Sequence, residues 1–134
     1  MVELHGWLCI RACAGDEDRL PAGSEDAVIQ SVLSALEASP RKTDLQYANG
    51  TPYLRTLLDA NHRGTETDEI IELYRKIAET ASGSYGMIWL HDDEDAQHFN
   101  AFQVYLFRRG TMELHPDPWL SPCIPVIEDG EVFA

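Results

Sequence analysis

The stretch TETDEIIELYRKIAETA, residues 65–81, decides the fold. Ile70, Ile71, Tyr74, Ile77, Ala78 and Ala81 recur at the three- and four-residue spacing that gathers side chains on one helical face. Asp68, Glu69, Glu72, Lys76 and Glu79 take the opposite face. Thr65, with Asp68 three residues on, resembles a capping box in which Asp replaces the usual Glu or Gln, and Gly83 follows as a stop. A helix with one apolar stripe must bury it against another element, and the flanking segments supply strands.

Upstream, VELHGWLCIRAC (2–13) is rich in β-formers and reads as a strand. A polar Gly/Pro loop (14–24) leads to a second helix, with Ser24 as its cap and Glu25 and Asp26 in its first turn. Val28, Ile29, Val32, Leu33 and Leu36 form its apolar face, and Ser39-Pro40 ends it. DLQYANGTPYLRTLLDA (44–60) is a strand, an Asn49-Gly50 turn and a second strand, with Pro52 pointing to an edge position or a shifted boundary.

Downstream, SYGMIWL (84–90) reads as a strand and AFQVYLFRRGTMEL (101–114) as one more. In the latter, Phe102, Val104 and Leu106 share one face, and Tyr105 and Phe107 the other. Pro116, Pro118, Pro122 and Pro125 favour extended coil for the C-terminal segment. The order is β-α-β-β-α-β-β, an α+β arrangement with two helices on one face of a mainly antiparallel sheet. A ferredoxin-like split βαβ layout with one extra strand fits it.

A length of 134 residues fits a single domain spanning 1–134. Ten basic against 23 acidic side chains leave a net charge of −13. Such a surface repels phosphate backbones and anionic membranes, whereas a basic protein would be steered toward it. Acidity of this degree also serves solubility alone. Cys9, Cys13 and Cys123 are too few for a secreted disulfide scaffold, and Glu3, His5 and Arg11 interrupt any leader-like apolar run. The expected location is the cytoplasm.

LHDDEDAQHF (90–99) sets Asp92, Asp93, Glu94 and Asp95 between two histidines. It lacks the alternating carboxylates and the sixth-position glycine of a calcium loop. His91 and His98 are seven apart, without zinc-finger spacing, and His5, His62 and His115 stand alone. Four adjacent acids in a polar connection are also the reverse of the apolar pocket that raises a catalytic carboxyl's pKa. GSYG (83–86) is not a nucleophile elbow, and no glycine-rich phosphate cradle is present. No catalytic residue, metal ligand or cofactor is expected. The acidic run is either a solvated turn or an electrostatic handle. His62 and Arg63, in NHRG, either pair with nearby acids or form an interface rim.

Several segments together resemble the immunity protein 7 family of bacterial polymorphic toxin systems. They are HGW (5–7), NHR (61–63), DEIIELYRKIAETASGSYG (68–86), DDED (92–95), NAFQVYLFRRG (100–110) and DPWLSPCIPVIED (117–129). The first helix and the Asn49-Gly50 region match least. The resemblance implies an inhibitor rather than an enzyme, binding the C-terminal domain of a cognate toxin. A nuclease toxin would present a basic groove to an acidic partner. The toxin-facing acids expected on that reading are Asp92, Asp93, Glu94 and Asp95 of the loop with Asp68, Glu69 and Glu72 of the helix. Trp119 and Tyr105 are candidate anchors or core residues. The competing reading is a ferredoxin-like small-molecule-binding or regulatory domain, which would require an apolar pocket with convergent polar groups.

Overall fold

The structure is a computed structural model that describes residues 1–13, 24–38 and 43–130. The expected loop at 14–23, the capping side chain of Ser24 and the Ser39-Pro40 stop lie outside the described residues. The elements are β1 (Val2–Cys9), α1 (Ser24–Glu37), β2 (Thr43–Ala48), β3 (Thr51–Ala60), α2 (Thr65–Thr80), β4 (Tyr85–Asp92), β5 (Gln103–Arg108) and β6 (Thr111–Pro116). One six-stranded sheet has the order β2-β3-β1-β4-β5-β6. Every neighbouring pair is antiparallel.

The central strand is β1, where Leu4 pairs with Leu58 on one side and Leu90 on the other, and Leu8 with Leu54 and Gly86. Alternation sends Val2, Leu4, Leu8, Leu54, Leu58, Ile88, Leu90, Tyr105 and Phe107 into one core with Ile70, Tyr74 and Ile77 of α2 and Val32 of α1. Because both helices feed a single cluster, they share one face of the sheet. Each fully buried Leu or Ile contributes on the order of 1.5–3 kcal/mol. The expected polar face of α2 is outward: Asp68, Glu69, Glu72, Lys76 and Glu79 are all exposed.

Local signals were displaced at several boundaries. β1 ends at Cys9 rather than residue 13, and the next amide, Ile10 N–H, donates to the Pro52 carbonyl at 3.0 Å. Pro52 therefore lies on an interior strand, not an edge. It is tolerated because it sits opposite Tyr47 one step beyond the Cys9–Tyr53 pair, where the ladder to β1 has run out. Gly64, not Thr65, caps α2, and no side chain closes the cap. The Asp68 carboxylate that would have reached back accepts from Arg63 Nη2 at 2.8 Å instead. At the other end Ala81 N–H still bonds Ile77, and Gly83 N–H donates across the fold to the Arg11 carbonyl at 3.1 Å.

The Asn49-Gly50 hairpin is present, with both residues at positive φ (52° and 79°), as a two-residue primed turn requires. The single strand expected over 101–114 is a second such hairpin: Arg109 and Gly110 take φ of 50° and 76° and fold β6 back on β5. The element order is thus β-α-β-β-α-β-β-β. Tyr105 and Phe107 do face the helices, opposite to Val104 and Leu106, which remain half-exposed.

Residues 117–130 form turns and bends. Asn100 ties them down, donating from Nδ2 to the Ile124 carbonyl at 2.9 Å. Its Oδ1 accepts the amides of Cys123 and Ile124 at 3.0 and 2.7 Å. This segment crosses the helix-free side of the sheet near β4, where Leu120 shares a hollow with Glu3, His5, Trp89 and Phe102.

Candidate interaction surfaces

The acidic run occupies the β4–β5 connection at one end of the sheet, next to the chain's first residue. Asp92 Oδ1 accepts the Glu94 amide and Asp95 Oδ1 the Gln97 amide, each at 3.0 Å, so two successive Asx turns shape the loop. The Met1 ammonium donates to Asp93 at 2.6 Å. That contact holds the Asp93 carboxyl below the usual range and the amine above it. Asp95 is lowered first by its hydrogen bond with His98 (3.1 Å), then by the Gln97 amide. Glu94 pairs with His62 Nδ1.

The next residue along, Arg63, grips Asp68. The two acidic groups expected from the sequence are therefore joined by the adjacent pair His62-Arg63, whose alternative as loop ion-pair partners is the one observed. Glu72 is held by Arg75, which donates from Nε at 2.8 Å and from Nη1 to Glu79 at 2.7 Å; the first contact lowers the Glu72 pKa. Glu69 has no ion pair among the described residues. Asp68, Glu69 and Glu72 line a groove of about 600 Å³ between α2 and the end of α1, floored by Ala35, Ala38 and Leu73. Asp93 and Glu94, equally exposed, stand apart from that groove at the sheet end. The seven acids thus form two surfaces linked at Asp68, not one flat patch.

A third surface had no motif to announce it. On the helix-free face, Trp7 pairs with Arg55 and Met87, and His5 with Leu57 and Trp89. His5, Trp7, Asp44, Tyr53, Arg55 and Leu57 line an open trough of about 770 Å³. Leu57 is 61% exposed. The detectable signal was parity: His5 and Trp7, like Tyr53, Arg55 and Leu57, fall at positions alternating with the core leucines. Of the two candidate anchors, Tyr105 is core, whereas Trp119 is 74% exposed.

His91 is buried, donates from Nε2 to the Phe99 carbonyl (2.7 Å), and lies 3.6 Å from Cys123 Sγ. Among the described residues no group of three His, Cys, Asp or Glu is placed to hold a metal ion. No helix among them is long and apolar enough to cross a membrane.

Ion-paired carboxylates at one sheet end, an acidic interhelical groove and an open aromatic trough mark the surface of this acidic α+β protein. The profile of the Imm7 family, immunity protein 7, matches residues 1–129, and the chain belongs to that family. Its members are immunity proteins, non-enzymatic inhibitors that neutralise a cognate toxin. No curated protein and no solved structure matches the chain.

Proposed function

We propose that this protein is the cytoplasmic antidote to one polymorphic toxin and binds that toxin's C-terminal domain one to one. The toxin domain is basic, as a nuclease with a substrate groove for phosphate backbones would be. The observation that carries this reading is the net charge of −13 together with acids clustered at one end of the sheet and along α2. Opposite charge on the toxin accelerates encounter, which matters for an inhibitor that must act before the toxin does. Asp92, Asp93, Glu94 and Asp95 make the first approach, with Asp68, Glu69 and Glu72 extending the negative field along the helix. Internal partners temper this charge without removing it, since Asp93 and Glu94 remain exposed.

The scaffold reading is a ferredoxin-like unit formed by the first four strands and both helices, extended by the β5–β6 hairpin. The order β2-β3-β1-β4 supports it, because two crossovers carry α1 and α2 to one face. The test is direct: the purified chain and the C-terminal domain encoded immediately upstream should co-elute at low salt and separate more readily as salt rises. Independent elution at every salt concentration would overturn the proposal.

A further inference from the structure

The sheet has two sides, and only one is fully used. Both helices cover one face, and residues 117–130 cover the β4 end of the other. Among the described residues, none covers the β2–β3–β1 portion of that second face. An antiparallel sheet with a solvated face ordinarily turns polar side chains outward. Here Trp7, Tyr53 and Leu57 stand there, around a concavity. Arg55 lies between Trp7 and Asp44 in the register and makes no ion pair among the described residues. Trp, Tyr and Arg are the residue types that dominate measured binding energy at protein interfaces.

The margin of the trough is acidic. Two pairs further along the same strands, Asp59 faces Glu3, and beyond them the Met1 amine holds Asp93 of the β4–β5 loop. Asp44 closes the opposite flank from β2. The trough and the acidic loop are therefore one continuous surface, an apolar centre within a negative border. A second copy of a chain carrying −13 would bring like charge to that border, whereas a basic protein brings the complement.

Resting on the antidote reading above, we infer that this bare half of the sheet is the toxin-docking face. The trough takes an apolar projection of the toxin, ringed by Lys or Arg side chains that meet Glu3, Asp44 and Asp59. Trp7, Tyr53, Arg55 and Leu57 supply the affinity, and the neighbouring acidic loop supplies the approach.

The experiment measures binding of the upstream-encoded toxin domain to the native chain and to Leu57→Asp, Arg55→Ala and Met112→Asp. Leu57 and Met112 are both exposed apolar strand residues, so neither change empties the core, and thermal melts confirm folding. The expected result is that Leu57→Asp and Arg55→Ala each weaken binding by at least about 30-fold, the threshold of an interface hot spot, while Met112→Asp on β6 binds like the native chain. If the native chain binds and all three variants bind equally, the docking face is overturned and the antidote reading stands. If the native chain itself does not bind, both fall. If the native chain elutes as a dimer that Leu57→Asp splits without affecting toxin binding, the face belongs to a second copy and the inference is overturned.

Discussion

The hydroxyl of Tyr74 occupies the space that a side chain at position 6 would need: a β-carbon on Gly6 would lie 2.7 Å from Tyr74 Oη and 3.2 Å from Ile88 Cγ1. The phenol cannot swing aside cheaply. Its oxygen bonds Thr56 Oγ1 at 2.8 Å, Thr56 in turn bonds Thr43 at 2.9 Å, and its ring packs against Phe107. One side chain of α2 is thereby fitted to β1, β3 and β5 at once, and to β2 through Thr56. Gly6→Ala should lower stability by about 1–3 kcal/mol through overpacking, read as a reduced urea midpoint at unchanged slope. Gly86→Ala should be worse, because its β-carbon would lie 2.1 Å from the Trp7 carbonyl oxygen, which is backbone and cannot yield.

Burial pushes the Tyr74 phenol up to about 12, against an ordinary value of 10.0. The unfolded chain therefore loses this proton at lower pH than the folded one does. Between those two values the unfolded state binds fewer protons, so stability falls as pH rises, and it is fully present below pH 10. The loss amounts to about 2–3 kcal/mol once pH exceeds the folded value. Tyr74→Phe should flatten that alkaline decline. At neutral pH it costs only about 1 kcal/mol, since Thr56 retains its bond to Thr43. Denaturant titrations at pH 7 and at successive alkaline values would check both signs.

Local signals in the chain fared differently from long-range ones. The stripe of α2 and the Asn49-Gly50 turn were legible because their period and dihedral demands are written within a few residues. Arg109-Gly110 adopts the same kind of turn, yet arginine at positive φ carries no turn signature, and apolar residues continue on both sides of it. The acids were legible as charge, and pairing of His62 and Arg63 with nearby acids was one of two readings; that Glu94 is the acid His62 meets was not, since that contact spans 32 residues. The trough was hidden for a related reason. It is assembled from β1, β2 and β3, and no local pattern states the pairing of β1 with β3.

Asn100 closes the C-terminal segment with three hydrogen bonds from one amide side chain, all to the backbone of Cys123 and Ile124. Asn100→Ala leaves those backbone groups to water at a half-exposed site, so the cost to global stability should be about 1–2 kcal/mol. The larger effect should be local. Amide exchange around Cys123 and Ile124 should quicken markedly while the amides of β1 keep their protection. Equal protection of the segment in both proteins would show that Leu120 and its hollow, not Asn100, hold it in place.

The acidic loop and the trough divide the work of binding, and kinetics can separate them. Asp92→Asn, Asp93→Asn, Glu94→Gln and Asp95→Asn together remove four charges. Asparagine keeps the Oδ1 that accepts the Glu94 and Gln97 amides, so both Asx turns should survive. The ion pairs lost, to Met1, His62 and His98, are largely exposed and contribute little to folding. Association with the toxin domain should slow by about tenfold at low salt and depend less steeply on salt, the acids of α2 and of the trough margin keeping the remainder. Dissociation should barely change, because the groups that must separate, Trp7, Arg55 and Leu57, are untouched. An unaltered association rate would take the loop out of the approach path. A rise confined to the dissociation rate would instead place its carboxylates among the buried contacts, where loss of charge is felt only after docking.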